Sequence, residues 1–325
     1  MVAEGPKVRQ FEVAVADYLG LAGAMATSSG TTALFLALRT LEIGPGDEVI
    51  LPTYVCRSVM DAVCWTGATP VLCDISNDWC INRQTVEPLV GKNTKAIIVV
   101  HTFGIAADVE PIASLGIPVV EDCAQSLGGI LNGRKLGSLG TFCVCSFQAI
   151  KLLCTGEGGM VLCKDEKWLR RLKGCGGMGG SPSQDVYRFP LTDIQATLGL
   201  SQMARYQRFL ERRQEIASFY FEELRDLPVV LPDEIRHKSV FFRFPLRIRS
   251  SFDEVKPAFE REGIQVRRGI DALLHRLVGL DRAAFQEAER RYIETLSIPL
   301  YPALADVLAE RVVEVCRSVF ASPSS

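Results

Sequence analysis

Short apolar runs that alternate with helical segments constrain this chain more than any other feature. Glu48 to Pro52, Thr69 to Asp74, Lys95 to His101 (KAIIVVH) and Ile117 to Glu121 (IPVVE) each read as a strand, with helical segments between them. Runs of that kind imply a mostly parallel sheet covered on both faces, so an α/β fold is expected. In such sheets ligands bind beyond the carboxyl ends of the strands. The stretch IPVVEDCAQSLGG delivers Asp122 and Gln125 at such an end, with Asp122 either a helix cap or a functional carboxylate.

The rest of the chain follows the same grammar. Val8 to Leu19 reads as an amphipathic helix ended by Gly20. Ala24 to Thr27 is a short strand, Ser28 to Thr31 a polar turn and Thr32 to Leu41 an apolar helix. A strand, then Ser-Ser-Gly-Thr, then a helix offers free backbone N–H groups to an anion, with a simple N-cap as the plainer alternative. Another helix is expected from Cys56 to Thr66, and one long helix from Thr192 to Leu224. The GxGxxG at Gly174, Gly176 and Gly179 follows a basic helical run and not a strand, so it reads as a loop and not as a dinucleotide site. Loop-like composition from Arg225 to His237 divides the chain into 1–228 and 229–325. The second unit should hold a strand at Ser239 to Ile248, a helix at Phe252 to Glu262 and a strand near Ile264 to Arg267.

One lysine stands out. Lys151 follows an apolar strand (Thr141 to Phe147, TFCVCSF) and precedes the turn Thr155-Gly156-Glu157-Gly158-Gly159, with Ser146 just ahead of it. An ammonium among Leu, Ile and Cys is costly and tends to lose its proton, which suits a nucleophile that forms a Schiff base. A snorkelling surface lysine is the ordinary alternative.

At 325 residues, 48% apolar and 23% charged, the chain can bury a substantial core. Its net charge of −2 gives no reason to expect nucleic acid or a membrane surface as partner. The 11 cysteines lie in apolar runs, with no CxxC pair and no Cys/His cluster at metal spacing, so no metal is expected. With no apolar span and no signal peptide, the protein is expected to be cytoplasmic.

Ser-Gly-Thr before a helix, Asp and Gln after a strand, then Ser, then Lys together fit one cofactor, pyridoxal 5'-phosphate. Gly30, Thr31 and Ser146 would supply donors to its phosphate, and Asp122 would keep its ring nitrogen protonated. Gln125 would donate to its phenolate oxygen, and Lys151 would hold the aldehyde and then act as base and acid. With these pieces in place the chain resembles the StrS/DegT-type sugar aminotransferases, a branch of the fold type I pyridoxal phosphate enzymes. The matching text includes SSGTTALFLAL, IGPGDEVILP, GATPVLCDI, VEDCAQSLGG, SFQAIKLLCTGEGG, LTDIQATLGLSQ and LSIPLYPAL, from Phe11 to about Arg317.

The resemblance implies a large domain with a mixed, mainly parallel sheet, a small C-terminal α/β domain, and a homodimer with shared active sites. Relatives that dehydrate their sugar carry histidine where this chain has Lys151, so transamination is implied. Glutamate or glutamine would load the amine, and a keto group on a nucleotide-linked deoxysugar would accept it. A ketocyclitol or another secondary-metabolite ketone is the alternative acceptor, and a non-catalytic binding homologue the alternative class. Cys56 falls where many relatives place an aromatic ring over the pyridoxal, with Tyr54 as a possible substitute. Arg188 lies nearest the place where relatives have an asparagine that reaches the partner's cofactor phosphate. The segment ahead of the family's first helix is missing and the C-terminal unit is compact, so an altered substrate pocket is expected.

Overall fold

The computed structural model describes residues 5–177, 185–232 and 235–321. Its main sheet is built from β1 (Gly23–Thr27), β2 (Glu48–Pro52), β3 (Thr69–Cys73), β4 (Thr94–Val100), β5 (Val119–Asp122), β8 (Phe142–Ser146) and β9 (Gly159–Cys163). The order across the sheet is β1-β9-β8-β5-β4-β2-β3. The four pairings from β8 to β3 are parallel, and β9 runs antiparallel to both β8 and β1. A hairpin, β6 (Ile130–Leu131) with β7 (Arg134–Lys135), lies between β5 and β8, and β10 (Phe244–Arg247) pairs with β11 (Thr295–Ile298) in a separate antiparallel sheet. The mainly parallel α/β sheet is the one expected from the apolar runs.

Side chains alternate between two cores. Phe142 and Val144 of β8 and Val161 and Cys163 of β9 enter one hydrophobic cluster, while Cys143, Cys145, Met160 and Leu162 enter the other. The period of two along a strand sends neighbours to opposite faces, and both faces are covered. Helix α1 (Pro6–Leu19) lays Phe11, Val15 and Leu19 on the second face and ends at Gly20, whose φ of 71° is the left-handed cap that glycine adopts without strain. Helix α2 (Gly30–Thr40) is buried almost throughout, and α3 (Arg57–Trp65) covers the first face with Val59, Met60, Ala62 and Val63. Among the described residues no helix is long and apolar enough to cross a membrane.

Three elements differ from the reading of the sequence. The expected helix over Thr192 to Leu224 is two, Asp193–Met203 and Tyr206–Glu223. No Gly or Pro marks the break; the two halves are held by different neighbours. Asp193 Oδ1 accepts the Val8 N–H at 3.0 Å and a Cβ on Gly199 would lie 2.7 Å from the Phe11 ring, so the first half is tied to α1. The second half begins at Tyr206, whose hydroxyl donates to the Leu127 carbonyl at 2.7 Å. The strand expected over Ser239 to Ile248 is one bridge at Ser239, to Ile105, and a regular strand only from Phe244 to Arg247. Ahead of it the chain runs along the 102–106 turn, with the Val240 N–H on the Gly104 carbonyl at 3.1 Å and the Ala106 N–H on the Lys238 carbonyl at 2.8 Å. The strand near Ile264 to Arg267 is reduced to one bridge between Arg267 and Ser297. Gly174 lies in the helix Glu166–Cys175 and Gly176 caps it, while Gly179 falls outside the described residues.

Glu121, fully buried at the end of β5, fastens the site end of the sheet. Its Oε1 accepts the amides of Leu139 (2.7 Å) and Gly140 (2.5 Å), and its Oε2 accepts those of Gly137 (2.8 Å) and the His101 Nε2–H (3.1 Å). The Ala107 N–H donates to His101 Nδ1 at 3.1 Å, which assigns the ring proton to Nε2. Burial alone would push the Glu121 carboxyl up; His101 and the amides reverse this and hold it below its ordinary range. A depressed carboxyl stabilises the fold at neutral pH and loses that contribution as pH falls through its folded value. Glu121→Ala leaves these donors without a partner in the core, and urea denaturation should show a loss of about 3 kcal/mol or more. Glu121→Gln, which keeps one acceptor oxygen, should lose less.

Candidate functional site

The strand ends bring the separated motifs to one edge. Thr27 of β1 and Ser146 of β8 both stand opposite Gly159 at the start of β9, and Asp122 of β5 stands opposite Val144. Beyond β1 the chain turns into α2 through a capping box, in which Ser29 Oγ accepts the Thr32 amide and Thr32 Oγ1 accepts the Ser29 amide. The cap therefore exists, yet it uses the amides of Ser29 and Thr32 and leaves those of Gly30 and Thr31 at the helix N-terminus, where no helical carbonyl reaches them. A Cβ on Gly30 would lie 2.8 Å from the Ser146 Cβ, so only glycine lets this helix end come so close to β8.

Lys151 sits in the connection from β8 to β9. Its amide bonds the Gln148 carbonyl at 2.9 Å, and the turn behind it closes with the Thr155 amide on the Phe147 carbonyl and the Phe147 amide on the Gly158 carbonyl, each at 2.8 Å. Gly156 and Gly158 adopt φ of 82° and 157°, which explains the glycines of TGEGG. The Lys151 side chain is half-buried, and its Nζ lies 5.4 Å from the centre of the Phe242 ring. It opens on a cavity of about 1200 Å³ lined also by Arg208, Phe209, Arg212 and Tyr301.

Asp122 is buried, and its Oδ1 accepts the Ala124 amide at 2.9 Å, a local turn and not a helix cap. Burial pushes its carboxyl up, and the Ala124 amide and the Lys151 charge pull the other way. Gln125 uses its Oε1 to accept the Phe103 amide at 2.8 Å, which leaves its NH₂ as a donor. Asp122, Gln125, Gly30, Thr31, Ser146 and Lys151 are thus assembled at one end of the sheet.

The remaining expected residues are placed differently. Cys56 caps α3, is exposed, and contacts Ser58 Oγ at 3.0 Å. Tyr54 is fully buried with its ring edge-on to Phe103, so it is committed to the core. Arg188 is exposed, and the carbonyl of the next residue, Phe189, accepts the Ser28 amide at 2.8 Å, which carries Arg188 beside the α2 turn of its own chain. Reading the sequence missed His101, Glu121, Phe242 and Arg243; a His and a Glu closing apolar runs were the available signal for the first two. His101, Glu121 and Cys123 also converge as metal-type donors that no sequence spacing announced. Both imidazole nitrogens and both Glu121 oxygens are already hydrogen-bonded.

A sheet of this topology carrying a half-buried lysine and a buried carboxylate at its strand ends is the architecture of fold type I transferases. The solved aminotransferase TlmJ from Streptoalloteichus hindustanus superposes with a TM-score of 0.92 at 30% identity, covering 100% of this chain and 93% of that one. Spr1654 from Streptococcus pneumoniae, solved in its PLP form, superposes with a TM-score of 0.91 at 26% identity, covering 98% and 92%. In sequence the chain is 34% identical to UDP-N-acetyl-3-dehydro-alpha-D-glucosamine 3-aminotransferase of Acidithiobacillus ferrooxidans, over 96% of this chain and 88% of the relative. The model of the DegT/DnrJ/EryC1/StrS aminotransferase family matches residues 1–317. The chain belongs to this family, and it is a pyridoxal-phosphate-dependent transaminase.

The residues fit that cofactor. The close approach of Gly30 to Ser146 makes a cradle that any larger residue would fill, and Asp122 is a buried carboxylate only partly satisfied by the protein. Because burial raises its pKa, Asp122 costs the cofactor-free fold something at pH values above the folded pKa, and that cost disappears as the carboxyl is protonated on acidification. Asp122→Asn can still accept the Ala124 amide and removes the charge. Thermal melting of the cofactor-free variant should therefore give a midpoint no lower than the wild type at neutral pH, with any advantage shrinking as pH falls.

Proposed function

We propose that this enzyme moves an amino group from glutamate or glutamine to a keto group of a nucleotide-linked deoxysugar. The observation that carries the reading is that the Lys151 charge acts on the buried Asp122 carboxylate, near the strand ends and beside the donor turn of α2, in a chain of this family. The 3-aminotransferase relative, named for a UDP-linked keto sugar, supports that acceptor class.

In this reading Gly30 and Thr31 offer amides, and Thr31 and Ser146 hydroxyls, to the cofactor's phosphate. The Asp122 carboxylate holds a proton on the ring nitrogen, and the Gln125 NH₂ donates to the ring oxygen. Bound there, the cofactor supplies an electron sink. Lys151 would hold the cofactor through Nζ, and the same Nζ as a free amine would take a proton from the substrate carbon and give it back. The Phe242 ring lies 5.4 Å from Nζ and offers that side of the lysine an aromatic face.

Four further points belong to the proposal. Residues 1–228 form the catalytic domain and 229–325 a small C-terminal one. The protein is cytoplasmic, a reading supported by 11 free cysteines. It is a homodimer, supported by exposed apolar residues Trp65, Val186, Ile194 and Leu198. Arg188 reaches the partner's cofactor phosphate.

The defining test is spectral. Purified enzyme should bleach with glutamate or glutamine and recover with UDP-, GDP- or TDP-linked keto sugars. Lys151→Ala should fold, lose turnover, and lose the adduct that borohydride fixes on the Lys151 peptide. A fixed adduct on another lysine would sink the assignment. For the dimer, inactive Lys151→Ala and inactive Arg188→Ala subunits are mixed under exchange, and activity should reappear as one intact site forms. No recovery despite proven exchange, or full activity of Arg188→Ala alone, counts against Arg188 acting across the interface.

A further inference from the structure

Beside the Lys151 cavity lies a second one, of about 610 Å³, and the two share Ile150, Arg213 and Tyr301 as walls. The second cavity is lined by two further arginines, Arg243 and Arg267. Arg213 is engaged through Nη1, which donates to the carbonyls of Phe241, Phe242 and Leu300, while its buried Nε has no partner. Nearby arginines are engaged too: Arg268 is paired with Asp253, Arg276 with Glu289 and Arg291 with Glu287. Arg243 and Arg267 are different. Among the described residues neither guanidinium makes a hydrogen bond or an ion pair, and each bears on the other as a like charge.

Arg243 is held in place without being neutralised. Its amide bonds the Phe103 carbonyl at 3.4 Å, in the turn that also receives Gln125. Its Cζ lies 5.6 Å from the centre of the Phe242 ring, the same ring that Lys151 Nζ approaches to 5.4 Å. Burial, with Arg267 beside it, lowers the guanidinium's pKa, and Asp271 and Tyr54 offset this only in part. A half-buried guanidinium costs free energy unless an anion pairs with it, and a second one at its side adds repulsion. A bidentate oxyanion relieves both at once, since the guanidinium fork matches carboxylate and phosphate oxygens.

We propose that Arg243, with Arg267, is a substrate-binding site for an oxyanion, set one aromatic ring away from Lys151. Two sources carry that chemistry: a carboxylate of the amino donor and the diphosphate of the nucleotide sugar. That the anion belongs to a substrate rests on the transaminase reading above; that the pair binds an oxyanion does not.

The test is calorimetric titration of the cofactor-loaded enzyme with two unreactive probes, glutarate for the carboxylate and uridine diphosphate for the diphosphate. Arg243→Gln and the milder, exposed Arg267→Gln are compared with the wild type, with the cofactor absorbance and melting midpoint as checks on folding. Removing a charged hydrogen bond should weaken one probe by about tenfold or more for Arg243→Gln and by less for Arg267→Gln. Arg243→Lys should recover part of it. Weakened glutarate with unchanged uridine diphosphate assigns the donor's carboxylate, and the reverse assigns the diphosphate. Unchanged binding of both probes in both folded variants overturns the proposal. If Arg243→Gln fails to fold, Arg267→Gln decides alone. Should the wild type bind a probe through this pair yet bleach with no amino donor, the proposed function fails while this site stands.

Discussion

Glu121 takes its hydrogen bonds from His101 and from the amides of Gly137, Leu139 and Gly140, and so ties the ends of β4 and β5 to the loop that leads into β8. Asp122 and Gln125 stand directly on the strand end that this carboxylate aligns. It is a buried charge wholly answered by donors, so it stiffens what it touches. Because side chains alternate along β5, the next residue, Asp122, points the other way, towards the site. Two acids adjacent in the chain thus take opposite parts. One is consumed by the scaffold; the other keeps acceptor capacity for a cation that the protein itself does not fully supply.

That unequal supply of donors is what distinguishes site from scaffold throughout. The α2 cap uses two amides and leaves two. Gln125 spends its oxygen on Phe103 and keeps its NH₂. Lys151 is half-buried near Asp122 and an aromatic ring, with no ion pair among the described residues. Each partial satisfaction costs stability in the empty protein and becomes favourable when a ligand completes it.

The C-terminal part contributes Arg267 and Tyr301 to the cavity walls, and Phe242 and Arg243 through one short crossing. Residues 239–243 run along the 102–106 turn before joining β10, and this docking places Phe242 and Arg243 beside the residues from β5 and β8. Phe241 adopts a φ of 50° there, a kink that stops the segment from pairing as a strand.

The apolar runs and their period determined the sheet, its mainly parallel sense and the end at which a ligand binds, because those depend on local burial and chain chirality. That Asp122, Gln125, Ser146 and Lys151 would come to this end was legible for the same reason: each stands at the end of a strand-like run or a few residues beyond it. Only the tertiary structure decided the rest. Nothing local divides Thr192 to Leu224 into two helices; α1 and the Leu127 carbonyl do so, by drawing the halves to different neighbours. Tyr54 entered the core because Phe103 packs against its ring. Glu121 and His101 look like any charged residues at the ends of strands until the 137–140 loop folds over them. Arg243 and Arg267 are ordinary arginines in sequence, and only their shared cavity and lack of partners set them apart. Periodicity reports which face is buried; which groups answer one another inside is settled by contacts between residues far apart in the chain.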